Sequence, residues 1–299
     1  MQLKNLSIVV VSFNTRRLLC DCLESIQAHV SPEVRVIVVD NASMDGSLEM
    51  VRTKFPTVCA LSNPENLGFA KANNTALPHC QSEYIFFLNP DTVIFDDTMQ
   101  AAVAYMDREQ NVGLAGARLI NPDGSHQASV EKEYPRQRFD REKQLALKRL
   151  KGEIAWVKGA AMITRRDLIL ELGGFDEDFF LYAEETDLCL RIRQAGWAIG
   201  YIEAARVTHW GGESEKPNLP VAVWEKKYRA ELRFMKKHYS AKAMLSSIRA
   251  NRRQAIYRVL TLQLTIPFSR GRKRDQMVNK LDNYRCLLRV TKNPADCLA

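Results

Sequence analysis

Four polar clusters follow apolar, β-branched runs in this chain: Ser12 to Thr15, Asp40 to Ser43, Asn89 to Thr92 and His209 to Ser214. The third is the most abrupt. Tyr84 to Leu88, "YIFFL", reads as a buried strand and ends on Asn89, Pro90 and Asp91. Ligands of open α/β sheets lie outside the carboxyl ends of the strands, so a polar cluster there is either a turn or a site. Asp and Asn favour turns after strands and Pro90 fixes one, which accounts for any single cluster but poorly for four together. If the strands run parallel, their ends share one edge, and Asp40 and Asp91 fall along a single crevice suited to a nucleotide. A carboxylate there can hold a diphosphate by sharing a divalent cation with the phosphate oxygens, and Asp91 is placed for that work. A further acidic group, Glu184, Glu185 and Asp187 in "FFLYAEETDLCLR", crowds the start of a helical pattern, where carboxylates also complement the helix dipole.

Absent motifs narrow the chemistry. No GxGxxG follows the first strand and no GxxxxGK[ST] occurs, so a dinucleotide dehydrogenase or a P-loop nucleotidase would lack its phosphate cradle. The seven cysteines are scattered without a CxxC pair, which argues for reduced thiols rather than a zinc site or disulfide framework.

The elements that must position these residues alternate. "LSIVVVSF" (6–13) and "VRVIVVD" (34–40) flank a helical pattern carrying Leu18, Leu19, Cys22, Leu23 and Ile26, a βαβ unit. A second helix follows in "SMDGSLEMVRTKF", with Ser43 or Asp45 available as a cap, then a short strand "TVCALS" and a helix opened by "NPENLGFAKANN". After the Tyr84–Leu88 strand come a helix near Asp97 to Arg108, a turn "LINPDGSHQ", and a charged stretch, 131–155, expected to be a mobile surface loop. A strand and helix in "IAWVKGAAMITRRDLILELGGF", a helix from about Glu185 to Ala195 and a strand "AIGYIEAARVTHW" complete a mostly parallel sheet with helices on both faces.

At 299 residues, 46% hydrophobic and 26% charged, the chain is long enough for one large α/β domain with an appendage. Residues 221–299 carry net +14 while residues 1–220 carry net −6, which sets the expected boundary: a catalytic domain 1–220 and a basic, helical C-terminal region 221–299. No apolar run approaches the roughly 20 residues that a bilayer requires, so a cytoplasmic location is expected. In a helix over 221–239, Trp224, Tyr228, Leu232, Met235 and Tyr239 form one stripe with the basic residues largely off it. That stripe either packs on the catalytic domain or attaches the protein to an anionic surface at the inner face of the cell membrane.

"VVVSFN", "VVDNASMDGS", "NPENLGFAKANN", "FLNPDT", "WVKGAAMITRR", "GGFDEDFFLYAEETDLCLR" and "HWGGES" occur in the order found in inverting family 2 glycosyltransferases. The set, covering about residues 6–215, especially resembles the bacterial rhamnosyltransferase-like members. The resemblance implies a GT-A fold, a nucleoside-diphosphate sugar donor, Mg²⁺ or Mn²⁺, and transfer with inversion to a glycan or lipid-linked glycan in cell-surface polysaccharide synthesis. For this group it favours dTDP-L-rhamnose as donor. Carried over by position, Phe13, Asn14 and Asp40 would hold base and ribose, with Asn66, Gly68, Phe69 and Asn73 lining the same side. Asp91 matches the metal-binding Asp of the family's DxD-type motif, with Asn89 in the first acidic place. Trp156, Gly159 and Ala160 would border the sugar, and His209 would approach the diphosphate. The catalytic base aligns with Glu185, one methylene longer than the Asp usual there, while Asp187 is expected to orient Arg191 four residues on.

Two other readings meet the same residues less well. A sugar-1-phosphate nucleotidylyltransferase wants a glycine-rich basic loop after the first strand, and "SFNTRRLL" has Arg16 and Arg17 but no glycine. The basic tail alone would fit a nucleic-acid-binding protein, but no DNA- or RNA-binding module accompanies it, so no nucleic-acid partner is expected.

Overall fold

The structure is a computed structural model that describes residues 5–140, 147–211 and 220–292. The chain divides into two compact units: Met1–Tyr134 with Leu150–Phe180 and Glu184–Trp210, and Pro135–Arg149 with Leu181–Ala183 and Gly211–Ala299.

The first unit is built on an eight-stranded sheet. In chain order its elements are β1 (Leu6–Ser12), α1 (Arg16–His29), β2 (Arg35–Asp40), α2 (Ser47–Lys54), β3 (Cys59–Ser62), α3 (Phe69–Ala76), β4 (Tyr84–Leu88), β5 (Thr92–Ile94), α4 (Thr98–Arg108) and β6 (Val112–Ile120). There follow β7 (Val130–Glu131), β8 (Trp156–Val157), β9 (Ala161–Arg165), α5 (Arg166–Glu171), α6 (Glu184–Gln194) and β10 (Ala198–His209). The spatial order is β3-β2-β1-β4-β9-β6-β10-β5, with β7 and β8 paired separately. Strands β3, β2, β1 and β4 run parallel, as do β6 and β10, whereas β9 is antiparallel to both its neighbours and β5 is antiparallel to β10. Because β9 reverses between β4 and β6, β10 points the same way as β4, and both deliver their last residues to one edge.

Burial on both faces explains why β1 and β4 read as unbroken apolar runs rather than alternating ones. Every residue of both strands is buried. Alternate side chains feed two cores: Ile8, Val10, Phe86 and Leu88 meet α1 and α4 residues on one face, while Val9, Val11, Ile85 and Phe87 meet α3 and α6 residues on the other. The described residues of the 131–155 stretch are mostly turns, exposed or half-buried, as a surface loop would be, but three of them are anchored inside. Tyr134 is buried, its hydroxyl donating to Ala155 O at 2.8 Å and accepting from Arg193 Nη1 at 3.2 Å, and Asp140 is buried as well. Those bonds satisfy polar groups that a solvated loop would leave to water. Residues 141–146 of that stretch lie outside the described residues.

The second unit contains α7 (Val221–His238), α8 (Ala241–Thr265) and α9 (Gly271–Val290). The aromatic stripe of α7 is covered inside this unit: Met235 and Tyr239 are buried, Tyr228 donates its hydroxyl to Asn283 of α9, and the Tyr239 hydroxyl donates to Pro135 O at 2.7 Å. Met235 and Tyr239 are thus taken up by packing within this unit, while Trp224, Tyr228 and Leu232 are half-buried. No described helix is long and apolar enough to cross a membrane.

Candidate functional site

The side expected to meet the nucleotide lies where β1 and β2 end together, with Ser12 beside Asp40. Asn14 takes a left-handed backbone (φ 53°), which Asn tolerates. Its N–H donates to Ser43 Oγ at 2.9 Å and its Oδ1 accepts from Met44 N at 2.8 Å, while Ser43 N donates to Asp40 Oδ2 at 3.0 Å. Asp40 is buried, and its other oxygen, Oδ1, has no hydrogen-bond partner among the described residues. An unmet buried acceptor is costly, so this oxygen is available to a donor from a ligand. Phe13 stands half exposed beside it.

The next residue, Asn41, organises the flanking loop. Its Oδ1 accepts from Asn63 Nδ2 and Leu67 N, both at 3.0 Å, and its Nδ2 donates to Asn66 Oδ1 at 2.9 Å and Gly68 O at 3.2 Å. Gly68 has φ +82°, and a Cβ there would stand 2.3 Å from Phe180 O, which accepts from Phe69 N at 2.7 Å. The polar and aromatic groups expected to line this side are largely engaged within the protein. Asn66 braces Gly68 N at 3.0 Å, the Phe69 ring meets Phe175 edge-on, and Asn73 Nδ2 donates to Phe69 O at 2.9 Å.

The other half follows the β4 edge. Asn89 N donates to Ala160 O at 2.9 Å, and Ala160 is followed by antiparallel β9. A Cβ on Gly159 would lie 3.5 Å from Glu185 Cβ, so this glycine brings the chain against the Glu185 side chain. Trp156, on β8, is half-buried and donates Nε1 to Glu133 O at 3.1 Å. Asp91 is buried; its carbonyl accepts from Trp210 N at 3.0 Å, and its Oδ1 lies 3.5 Å from His209 Nε2. Glu185, Gly159, Ala160, Asn89, Asp91 and His209 thus form one continuous line. Residues 212–214 of the last sequence cluster lie outside the described residues.

His209 Nδ1 lies 2.8 Å from Gln127 Oε1, and Gln127 Nε2 donates to Asn121 Oδ1 at 3.1 Å. The second bond orients the amide, so Gln127 presents an acceptor and the imidazole carries its proton on Nδ1. Nε2 is then the nitrogen that faces the Asp91 carboxylate, and carboxylate plus imidazole is a pairing that suits a divalent ion. Asn89 adds a buried Oδ1 with no partner among the described residues. The donor set therefore fits a cation shared with a ligand; among the described residues no three His, Cys, Asp or Glu side chains form a closed metal cage. Beneath it, burial pushes the Cys22 thiol up to about 12, leaving it an inert neighbour of Asn89 and Thr92.

At the start of α6, backbone φ is positive at Tyr182 (74°) and Ala183 (66°), conformations of the kind that are stored at working sites. Glu184 is fully packed, and burial, then the charge of Glu185, pushes its carboxyl well above the ordinary range. Glu185, next to it, is half-buried and lies against Gly159. Asp187 accepts from Arg191 Nε at 2.7 Å, and the guanidinium continues to Leu172 O at 3.0 Å and Gly174 O at 2.8 Å, as the four-residue spacing predicts.

With that geometry in view, similarity to known proteins is decisive. The family described as Glycosyl transferase family 2 matches residues 7–173. The chain belongs to this family. It is 26% identical over 231 residues to N-acetylglucosaminyl-diphospho-decaprenol L-rhamnosyltransferase of Mycobacterium tuberculosis, covering 68% of this chain and 75% of that protein. It is 24% identical over 208 residues to rhamnosyltransferase WbbL of Escherichia coli, covering 64% and 76%. The mannosyltransferase PcManGT of Pyrobaculum calidifontis, solved with GDP-Man and Mn²⁺, shares the fold at a TM-score of 0.56 and 18% identity, over 96% of this chain and 75% of that one. This glycosyltransferase is rhamnosyltransferase-like and has the GT-A architecture.

The parts that three residues play in the candidate site escape sequence reasoning. Gln127 reaches His209 from 82 positions away. Asn41 looks like any turn residue after a strand. Glu184 is distinguished from Glu185 only by which way the helix faces.

Proposed function

We propose that this glycosyltransferase is a divalent-cation-dependent inverting enzyme. It moves a sugar, L-rhamnose from dTDP-rhamnose, to a hydroxyl of a glycan or lipid-linked glycan in cell-surface polysaccharide synthesis. The rhamnosyltransferase names of its relatives support the donor and acceptor classes, and the Mn²⁺ of its structural neighbour supports the metal. The single observation that carries the reading is the pair Asp91 Oδ1 and His209 Nε2, a carboxylate and an imidazole 3.5 Å apart at the carboxyl ends of strands that point the same way.

Phe13, Asn14 and Asp40 hold the nucleoside, with Asp40 Oδ1 accepting a donor group from base or ribose. Asp91 and His209, with Asn89 nearby in sequence, would hold Mg²⁺ or Mn²⁺. When bound, the cation neutralises charge that develops on the leaving nucleotide. Trp156, Gly159 and Ala160 border the sugar, and the small residues at 159 and 160 leave room between Asn89 and Glu185. Glu185 takes the proton from the attacking acceptor hydroxyl, on the side of the anomeric carbon opposite the departing diphosphate, which inverts that centre. A positioned base of this kind contributes about 10²–10⁴-fold.

Asp91→Asn keeps shape and removes charge, so transfer should fall at least about a hundredfold with little rescue by added Mn²⁺. Transfer by the unaltered enzyme that persists undiminished in excess EDTA defeats the metal assignment. A donor panel read by nucleotide release tests the sugar: efficient use of a UDP-sugar with no rhamnose transfer overturns dTDP-rhamnose.

A further inference from the structure

The α8–α9 hairpin of the second unit is closed at its base, where Arg252 Nη1 donates to Leu288 O at 3.0 Å and Thr291 O at 2.7 Å. Toward its tip α8 is apolar on two sides. One row, Ala255, Val259 and Leu262, followed by Ile266 in the turn, recurs every three or four residues and is buried or half-buried, and α8 packs along α9. The opposite row is Ile256, Tyr257, Leu260 and Leu264, continued by Phe268 in the 3₁₀ turn Ile266–Phe268. All five are exposed, Leu264 at 72% and Phe268 at 90%. Solvated single apolar residues are ordinary, but five in a continuous row leading to a tip mark an interaction surface.

The surroundings identify the occupant. Residues 249–280 contain nine Lys and Arg against one acid, Asp275. Arg253 extends the exposed row on its base side, and Arg270, Arg272, Lys273 and Arg274 ring the tip, all exposed. A second copy of the chain would bring the same cations against these. A nucleic acid would use the cations but leave the aliphatic row in water. An anionic bilayer takes both, with the apolar row entering the headgroup–acyl boundary and the basic residues meeting phosphates.

We infer that the outer face and tip of the α8–α9 hairpin, centred on Leu264 and Phe268, dock this glycosyltransferase on an anionic phospholipid surface. The inference deepens the lipid-linked acceptor reading by naming where the enzyme meets the membrane, yet it stands on the hairpin alone. Docking leaves the helices lying in the interface, without crossing it.

Co-sedimentation of the full chain with vesicles of phosphatidylcholine, with and without phosphatidylglycerol, tests it without any acceptor or donor present. A failed donor or acceptor assignment therefore leaves the result unaffected. The unaltered protein should bind the phosphatidylglycerol vesicles at low salt and release at high salt. The Leu264→Glu/Phe268→Glu pair, at exposed positions that tolerate the change, should lower partition at least about tenfold. Arg272→Gln/Lys273→Gln/Arg274→Gln should lower it by about fivefold for each charge removed, with donor-induced thermal shifts unchanged in both variants. The inference is overturned if the unaltered protein ignores phosphatidylglycerol vesicles, or if the Glu pair binds them as before. It is equally overturned if the Glu pair turns a dimer into a monomer without altering vesicle binding, since the face then belongs to a second copy.

Discussion

His209 shows how one hydrogen bond decides what a side chain can do. Because Gln127 presents its carbonyl to Nδ1, Nε2 is the nitrogen left to face Asp91. Gln127→Leu removes that constraint, and second-sphere losses of this kind typically cost about 10–100-fold in metal affinity or activity. A Mn²⁺ titration of transfer should show the requirement rising by that factor; an unchanged requirement refutes the tautomer argument. The two glutamates at the start of α6 are separated by their surroundings. Glu185→Gln should abolish transfer while donor binding persists, and Glu184→Gln should remain active; wild-type turnover in the first with a dead second reverses the assignment. Glu184 also predicts a pH dependence. Its folded-state carboxyl titrates above its unfolded one, so the folded state holds the extra proton, and stability is lost as pH climbs from the ordinary carboxyl range through the raised value. Glu184→Gln lacks that proton, so its stability relative to the parent should improve with rising pH and converge with it in acid, as denaturation across pH would register.

At the scale of elements, the site depends on segments locked to one another at strand ends. Asn41 holds the loop from Asn63 to Gly68, and Gly68 presses it onto the Phe180 carbonyl that leads toward α6. The backbone of Gly68 (φ 82°, ψ 174°) is a conformation essentially restricted to glycine. Gly68→Ala must move Phe180, and should destabilise by about 2 kcal/mol or more, with transfer falling further than stability because α6 carries Glu185. Thermal unfolding alongside turnover reads both effects; an alanine variant as stable and active as the parent removes the Gly68–Phe180 contact from the account.

For the whole molecule, the net charge of +8 conceals an acidic portion, residues 1–220, and a basic one, residues 221–299. Under the proposed function the nucleotide diphosphate is itself an anion, so its retention in the acidic portion would fall to a cation held by Asp91 and His209. A bound ligand at a hundred times its Kd stabilises a fold by about 2.7 kcal/mol. Thermal shift by a nucleoside diphosphate should therefore appear with Mn²⁺ and collapse in EDTA. An equal shift in EDTA would mean that the protein alone neutralises the phosphates.

The sequence alone determined the mostly parallel architecture and the edge on which the candidate site residues meet. Continuous apolar runs such as Tyr84–Leu88 demand burial on both faces, helical patterns between them impose parallel crossovers, and parallel strands must end together. Asp40, Asp91 and His209 follow from that logic because each sits at a strand end. Only the tertiary structure decided what lies between elements. The approach of Gln127 to His209, of Gly68 to Phe180 and of Gly159 to Glu185 joins distant parts of the chain, and no local periodicity encodes it. The helices of the basic tail make the same point. Spacing reveals the apolar row of α7, but a row facing a partner helix and a row facing outward, like that of α8, have the same period. Only packing distinguished Met235, which is covered, from Leu264, which is not.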